Sequence, residues 1–314
     1  MYDVIIIGAG AAGMTSALYS ARKQLKTLVI SMDVGGQTAI PTNIENYPGF
    51  EGINGMELMM KFQSQAMKWG AKITTGKVGK VEKKGDKQFV VELVNGEKHE
   101  CRAVILAFGK TPRMVGMPGE DKFMGKGVST CVTCDAPFYK GKDVAVVGGG
   151  NSALGGALEL GNIANKIYLI HRREEFRADE LEVKRVKKLA NVEFVLNSVP
   201  IEVKGNQFVE SVVVENVNDK KQRELKVDGV FMEIGYKVES DFLKGFVDLN
   251  NHNEIITDKN CRTSLEGVFA AGDVSDVPFK QTVISAGEGS KAALSAHMYL
   301  EGARTTGRNI DWTH

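Results

Sequence analysis

The fold is decided by the stretch VIIIGAGAAG, residues 4–13, which stands almost at the start of the 314-residue chain. Its four consecutive apolar residues are typical of a strand buried on both faces of a parallel sheet. The glycines that follow mark a tight turn into a helix over Met14–Arg22, and Thr27–Ile30 is the returning strand. Backbone without side chains can approach a pyrophosphate at such a turn, and the helix N-terminus favours its negative charge. The stretch therefore predicts a nucleotide-binding β-α-β unit.

The same pattern recurs at residues 144–153, VAVVGGGNSA. A helix is expected from there to about Ile163, and Lys166–Ile170 is the second returning strand. One glycine-rich string is weak evidence, but two copies in strand–helix context predict a repeated architecture. The length also suits two domains better than one core. We therefore expect an α/β protein with two Rossmann-like nucleotide-binding domains.

Arginines follow the second returning strand, where an acidic residue would suit the ribose 2′-hydroxyl of NAD. Guanidinium groups at this place suit a ribose 2′-phosphate, so the second loop is predicted to bind NADPH. Two alternatives stay open: residues 172–188 could be a solvated basic helix face, and His171 could be a strand-end residue. The residues assigned to NADPH are Gly150, Asn151, Ser152, His171, Arg172, Arg173 and Arg177.

The first loop shows different surroundings. Ser31 stands after its returning strand, and the polar, turn-rich segments 35–37 and 45–49 follow, which could wrap a ligand larger than NAD. Near the C-terminus, an apolar strand over residues 268–271 leads to Asp273. Its carboxylate could accept hydrogen bonds from a sugar-like chain, or it could be an ordinary helix N-cap.

Two of the four cysteines, Cys131 and Cys134, form a C-x-x-C motif. One thiolate of such a pair can attack a partner's disulfide while the other resolves it, and the adjacent Asp135 could shuttle a proton. Zinc held together with His99 and Cys101, or an inert buried pair, are the alternatives, and no metal site is expected. Cys101, Cys261 and Trp69 are predicted to be core residues.

Composition excludes other classes of protein. The net charge of +1 gives no electrostatic basis for nucleic-acid binding. The N-terminus lacks a basic leader, and no apolar run approaches the roughly 18 residues that span a bilayer. The expected location is therefore the cytoplasm, where structural disulfides are rare.

Taken together, these motifs resemble the low-molecular-weight thioredoxin reductases over nearly the whole chain. The dithiol placed just before the second nucleotide loop is the most specific feature of the set. The motifs that carry the resemblance are Gly8-x-Gly10-x-x-Gly13, Gly36-Gln37, residues 45–49, Cys131-x-x-Cys134-Asp135, Gly148-x-Gly150-x-x-Ala153, His171-Arg172-Arg173 and Ala271-Gly272-Asp273.

The resemblance implies FAD on the first loop and electron transfer from NADPH through FAD to the dithiol and on to thioredoxin. Cys134 would face the flavin, Cys131 would meet the substrate, and Asp135 would be the acid–base group. A homodimer is the family's usual state. The FAD-binding residues that we assign are Ala9, Gly10, Ala11, Ala12, Gly13, Gly36, Gln37, Asn46, Val78, Gly272, Asp273, Lys280, Gln281 and Thr282.

The resemblance also implies how the domains are organised, as three-layer ββα folds of the FAD/NAD(P)-binding type. The FAD domain would comprise residues 1–114 and 239–314, split by an inserted NADPH domain over 115–238 that carries the dithiol. The dithiol and NADPH must both reach one flavin and cannot do so together, so we expect the inserted domain to rotate about its two connections.

Four places depart from the family's usual pattern: Gly155-Gly156, Val132, Lys237-Val238-Glu239 and Lys280. The same motifs are compatible with other functions. The same chemistry could serve a glutaredoxin-like protein or a peroxiredoxin system, and a non-catalytic nucleotide-sensing redox switch is a further alternative. A ferredoxin reductase of similar fold is disfavoured because it has no use for Cys131 and Cys134.

Overall fold

The computed structural model describes residues 1–41 and 44–302. The chain folds into two compact units: the outer unit, residues 1–110 with 238–314, and the inserted unit, residues 111–237. The crossings thus lie slightly before the boundaries expected after residues 114 and 238. No helix among the described residues is long and apolar enough to cross a membrane.

Helices and strands of both units are numbered in chain order. The helices are α1 Ala11–Arg22, α2 Gly55–Lys68, α3 Val132–Asp135, α4 Asn151–Gly161, α5 Glu180–Val186 and α6 Thr282–Leu300. Short 3₁₀ turns cover Gly36–Ala39, Ala136–Tyr139 and Asp241–Leu243. The strands are β1 Tyr2–Ile7, β2 Thr27–Ser31, β3 Lys72–Thr75, β4 Val78–Gly85, β5 Gln88–Leu93, β6 Lys98–Leu106, β7 Thr111–Pro112, β8 Val128–Ser129, β9 Asp143–Val147, β10 Lys166–Ile170, β11 Val192–Val195, β12 Ser198–Gly205, β13 Val209–Asn216, β14 Gln222–Lys226, β15 Gly229–Met232, β16 Tyr236–Lys237 and β17 Val268–Ala270.

The sheet of the outer unit is centred on β1, as the opening sequence predicts. β1 pairs in parallel with β2 and β6, β3 extends the sheet beyond β2, and β17 runs parallel to β6. β5 and β4 complete the far edge in antiparallel pairing. Val4 and Ile6 enter one core cluster, while Ile5 and Ile7 enter the other. Burial on both faces explains why residues 4–7 of this strand are all apolar.

Helices α1 and α6 pack closely on this sheet because small residues line their contact. A side chain at Gly289 would overlap the backbone of Ala12, and the Ser16 hydroxyl donates to the Gly289 carbonyl at 2.9 Å. The close approach of backbones fixes the start of α6 relative to the first glycine-rich loop.

The inserted unit has three layers. Its central sheet is parallel, in the order β11-β10-β9-β15-β8. Helix α4 packs on one face through Leu154 and Leu160, and the antiparallel sheet β12-β13-β14 covers the other face through Val212 and Val214. The α/β fold class with two Rossmann-like units, predicted from the repeated loops, is confirmed.

Two short strands mark where the chain enters and leaves the inserted unit. β7 pairs antiparallel with β16. The Arg113 amide donates to the Gly235 carbonyl at 2.8 Å, and its Nε donates to the Tyr236 carbonyl at 2.7 Å. The two crossings of the chain are therefore held side by side.

The prediction that Trp69 belongs to the core is wrong. Trp69 is the C-cap of α2 and is 52% exposed, with the Arg22 guanidinium 5.3 Å from its ring centroid. A helix end can place a large ring outside even when the helix itself is amphipathic. Cys101 and Cys261, in contrast, are buried free thiols as expected.

Candidate functional site

The first glycine-rich loop joins β1 to α1, and its three glycines have different physical roles. Gly8 has φ +106°, and a side chain there would overlap the backbone of Ala107. A side chain at Gly13 would overlap the Gly8 carbonyl, so these two glycines are required by the protein's own packing. At Gly10, the N-cap of α1, the nearest atom to an added Cβ is the Gly35 carbonyl oxygen at 3.8 Å. Packing does not require glycine at this place, whereas the close approach of a ligand's phosphates would.

Polar segments from distant parts of the outer unit meet near this loop. The Gly35 amide donates to the Ala9 carbonyl at 2.9 Å, which holds the Gly36-Gln37 turn beside the loop. The Asn46 side-chain amide donates to Gln281 at 3.1 Å. Thr38 and Thr282 hydroxyls lie 3.3 Å apart. The residues predicted to bind FAD in segments 36–46 and 281–282 are therefore brought together, which is the arrangement a long dinucleotide needs.

Asp273 lies in the turn that follows β17, one residue after Gly272 with φ +78°. Its carboxylate pairs with Lys110 Nζ at 3.0 Å and accepts from the Ser285 hydroxyl at 3.4 Å. The alternative that Asp273 is the N-cap of the following helix is wrong, because Gln281 caps α6.

Lys280 holds this turn from the other side. Its ammonium group donates to the carbonyls of Asp273 and Ser275 and pairs with Glu254 at 3.0 Å. It therefore positions the Asp273 turn, and its contact with the flavin stays a prediction. Val78 is buried within the core cluster that covers one face of the sheet, so its contact with FAD also stays a prediction.

The second glycine-rich loop, between β9 and α4, repeats the division of roles. Side chains at Gly148 and Gly149 would overlap the Glu233 carbonyl and the His171 ring respectively. Gly150, the N-cap of α4, has no atom within 4 Å of an added Cβ. The loop thus leaves open the same position as the first loop does.

His171 supports the second loop from within the protein. It is buried, its ring stacks on Phe176 with centroids 5.3 Å apart, and Nε2 lies 3.1 Å from the Glu175 carbonyl oxygen. Burial lowers the pKa of the imidazole, which favours the neutral ring against Gly149. Its direct contact with a nucleotide stays a prediction.

The arginines predicted for NADPH lie in an exposed loop that docks on the phosphate loop. The Arg177 amide donates to the Gly149 carbonyl at 2.7 Å. Asn151 and Asp179 exchange two hydrogen bonds, of 2.8 and 3.2 Å, that fasten the same loop to the start of α4, beside the exposed Ser152. The side chains of Arg172, Arg173 and Arg177 have no acidic partner among the described residues. Three arginines that form no ion pair, beside an open phosphate loop, suit a phosphorylated ligand.

The redox motif lies in the same unit: Cys131 directly precedes the one-turn helix α3, and Cys134 is a residue of that helix. Cys131 is disulfide-bonded, whereas Cys101 and Cys261 are free, and burial raises the pKa of both free thiols to about 12. The side chain of Cys134 is not among those that the structure describes. The Ser129 hydroxyl accepts from the Cys131 amide at 3.0 Å, and half-buried Asp135 ends α3. No cluster of potential metal ligands occurs among the described residues.

The sequence profile of the pyridine nucleotide-disulphide oxidoreductases matches residues 2–290. The chain belongs to this family. Thioredoxin reductase from Mycolicibacterium smegmatis is 41% identical over 303 residues, covering 96% of this chain and 97% of the relative. Thioredoxin reductase from Bacillus subtilis (strain 168) is 39% identical over 308 residues, covering 98% and 97%. The solved structure of Lactococcus lactis thioredoxin reductase in its FR conformation superposes with a TM-score of 0.84 at 35% identity, covering 96% of this chain and 100% of that one. The predicted likeness to thioredoxin reductases is confirmed.

Two of this member's departures from the family's pattern are in contact. A Cβ at Gly156 of α4 would lie 2.7 Å from Cγ2 of Val132, whereas a Cβ at Gly155 would meet no atom within 4 Å. The larger side chain between the cysteines is accommodated by the missing side chain on the facing helix. The dithiol helix therefore packs directly on the helix that begins at the second phosphate loop.

Sequence reasoning missed two carboxylates at this place. Glu159 on α4 accepts from the Thr133 hydroxyl at 3.0 Å, and Glu233 follows β15 directly. The second could have been found, because residues just beyond the carboxyl ends of parallel strands gather at one edge of the sheet.

Proposed function

We propose that this protein is an NADPH-dependent flavoprotein disulfide reductase that reduces thioredoxin. The observation that carries the proposal is the bonded Cys131 in the same unit as an open phosphate loop flanked by unpaired arginines. The likeness of this chain to thioredoxin reductases over nearly its full length supports thioredoxin as the acceptor.

The residues present fit both nucleotides. FAD would lie against Gly10, with the Gly36-Gln37 turn, Asn46 and the Asp273 turn around it, and NADPH would lie against Gly150 with its 2′-phosphate on the arginines. Bound FAD would supply a two-electron relay between the nicotinamide and the disulfide. Cys131 would attack the acceptor's disulfide, Cys134 would resolve the mixed disulfide, and Asp135 would move the proton.

The dithiol and the NADPH loop belong to one unit, and both must serve the same flavin. We therefore propose that the inserted unit rotates about its two crossings during each catalytic cycle.

We further propose that the protein is a homodimer in the cytoplasm. The exposed methionines of α2, Met56, Met60 and Met67, support an association surface on the outer unit. Sedimentation velocity tests the dimer.

Anaerobic titration of the yellow protein with NADPH tests the proposed function. The wild type should consume two electron pairs, one for flavin and one for the disulfide, and should then reduce thioredoxin. Cys131→Ser should be yellow as isolated, consume one pair in the titration and lose thioredoxin reduction. Cys101→Ala, which removes a buried free thiol, is the matched control and should consume two pairs. One pair in the wild type, or a colourless protein, would contradict the proposal.

The acceptor is tested separately. Thioredoxin, a glutaredoxin-like protein and a peroxiredoxin-system disulfide would each be offered at equal concentration. Preference for either of the latter two would move the assignment to that acceptor, and turnover with none of the three would favour a redox switch.

A further inference from the structure

Glu233 connects the second phosphate loop to the dithiol helix. Its amide donates to the Val147 carbonyl at 2.8 Å, and its carbonyl occupies the space that a side chain at Gly148 would need. The amide of Val132, the residue directly after Cys131, acts on its carboxylate and lowers the pKa of that group. β15 pairs in parallel with β8, with Phe231 opposite Ser129, so Glu233 and Cys131 each lie two residues beyond this pair. The backbone of Glu233 is therefore held beside the segment that carries Cys131.

A second carboxylate faces Glu233 from α4. Glu159 accepts a hydrogen bond from the Thr133 hydroxyl, so the second residue between the cysteines contacts one glutamate while the first acts on the pKa of the other. Burial and the Glu159 charge raise the pKa of Glu233 to about 7, against the opposing effect of the Val132 amide. No cation among the described residues contributes to the pKa of Glu233. Asp135, at the far end of α3, adds negative charge that acts with Asp228 on Tyr139.

We propose that Glu233 is a positioning residue that holds a proton when Cys131 is reduced to the thiolate, and that Glu159 sets the pH at which this proton leaves. The inference rests on the proposed function. It adds a proton-holding group that the dithiol motif alone does not contain.

The proton balance is simple. Reduction breaks the S–S bond with two electrons, and restoring two thiols takes two protons. NADPH supplies a hydride, which carries both electrons and one proton equivalent, and water supplies the second proton. When Cys131 stays a thiolate, its proton resides on the Glu233 carboxylate. The net charge beside α3 is then the same as with a Cys131 thiol and an ionised Glu233.

A pH dependence follows with a definite sign. Below about pH 7 Glu233 is neutral and the Cys131 thiolate has one carboxylate fewer near it. As the pH rises through this value, Glu233 gains its charge and raises the pKa of the Cys131 thiol, since like charges disfavour each other. The two groups titrate as a coupled pair, so thiolate should form over a broader pH range than a lone thiol shows.

The test measures the rate of Cys131 alkylation by iodoacetamide from pH 5.5 to 9, by mass spectrometry, in full-length FAD-loaded protein kept reduced. A Cys134→Ser background leaves Cys131 as the reactive thiol of the motif, because Cys101 and Cys261 are buried. The variants Glu233→Gln and Glu159→Gln are added to it. Glutamine keeps an acceptor for the Val132 amide. Glu210→Gln, an exposed glutamate of the same unit, is the matched control.

The background protein and Glu210→Gln should show a rate that rises less than tenfold per pH unit near pH 7. Glu233→Gln should give a single titration and react up to about tenfold faster above pH 8, since one pKa unit changes the thiolate fraction tenfold. We call the pH range in which the rate rises less than tenfold per pH unit the deflection. Glu159→Gln should move this deflection to lower pH. A deflection that persists in Glu233→Gln, or that Glu159→Gln leaves in place, would overturn the proposal. Alkylation needs neither NADPH nor thioredoxin, so this failure is distinguishable from failure of the proposed function.

Discussion

At the scale of single residues, the unpaired arginines beside the second phosphate loop should decide which nicotinamide cofactor is used. Arg172→Gln or Arg173→Gln should raise the KM for NADPH by roughly ten- to a hundredfold, because a hydrogen bond to a charged group contributes about 1.5–3 kcal/mol. The KM for NADH, which lacks the 2′-phosphate, should stay the same. Steady-state kinetics with both cofactors measures the ratio.

Arg185→Gln is the matched control for this prediction. Arg185 is also an exposed arginine of the inserted unit, but it lies in the last turn of α5. It should leave both KM values unchanged. An equal loss with NADPH and NADH in Arg172→Gln and Arg173→Gln would mean that these side chains position the loop and do not bind the phosphate.

The same loop shows which residue roles a sequence can and cannot predict. Arginines after a returning strand directly indicate an anionic ligand, because a group of positive charges favours binding of a negatively charged group. The role of His171 could not be predicted, because it depends on a ring lying over Gly149 and on Phe176 stacking behind it. Such contacts are set by the tertiary fold and leave no local signal.

At the scale of elements, the contact between α3 and α4 should show energetic coupling between Val132 and Gly156. Gly156→Ala should destabilise the protein by about 1–3 kcal/mol, since its Cβ would lie 2.7 Å from Val132 in a packed core. Val132→Ala should relieve that overlap, so the double variant should be more stable than the sum of the single variants predicts. Urea unfolding of the inserted unit within the full-length protein measures the free energy of unfolding of the wild type, the two single variants and the double variant.

Gly155→Ala is the matched control on the same helix. Its Cβ would meet no atom within 4 Å, so the change should stabilise α4 by up to about 1 kcal/mol through helix propensity alone. Additive effects of Val132→Ala and Gly156→Ala would show that the two departures from the family's pattern are independent.

Buried elements were the predictable ones. The buried residues 4–7 of β1 and 167–170 of β10 are predominantly apolar because both faces of their sheets are covered, and this pattern is visible in the sequence. The region 172–188 was less clear: only Glu180–Val186 is helical, and residues 172–179 form the loop that carries the arginines. The role of Asp273 was left open because a carboxylate after a strand suits a helix cap equally well. Only the position of Gln281 at the start of α6 excludes that cap.

At the scale of the whole molecule, both crossings between the units carry a glycine in a conformation that other residues avoid. Gly109 has φ +65° and Gly235 has φ +94°, and an added Cβ would meet no atom within 4 Å at either. Packing requires neither glycine, but their backbone conformation favours glycine strongly. Glycine at both crossings also keeps the range of backbone angles wide, which a rotating unit needs.

Gly235→Ala should therefore slow turnover more than its effect on stability explains. The matched control is Gly70→Ala in the outer unit, with φ +96° and equally open space around an added Cβ. Each change should cost about 1–2 kcal/mol of stability, the cost of left-handed backbone for an L-residue. Both variants should retain FAD. Thioredoxin reduction should fall in Gly235→Ala and stay near wild type in Gly70→Ala, because only the first restricts a crossing about which we propose that the inserted unit turns. Equal turnover in the two variants would show that this crossing does not need to flex.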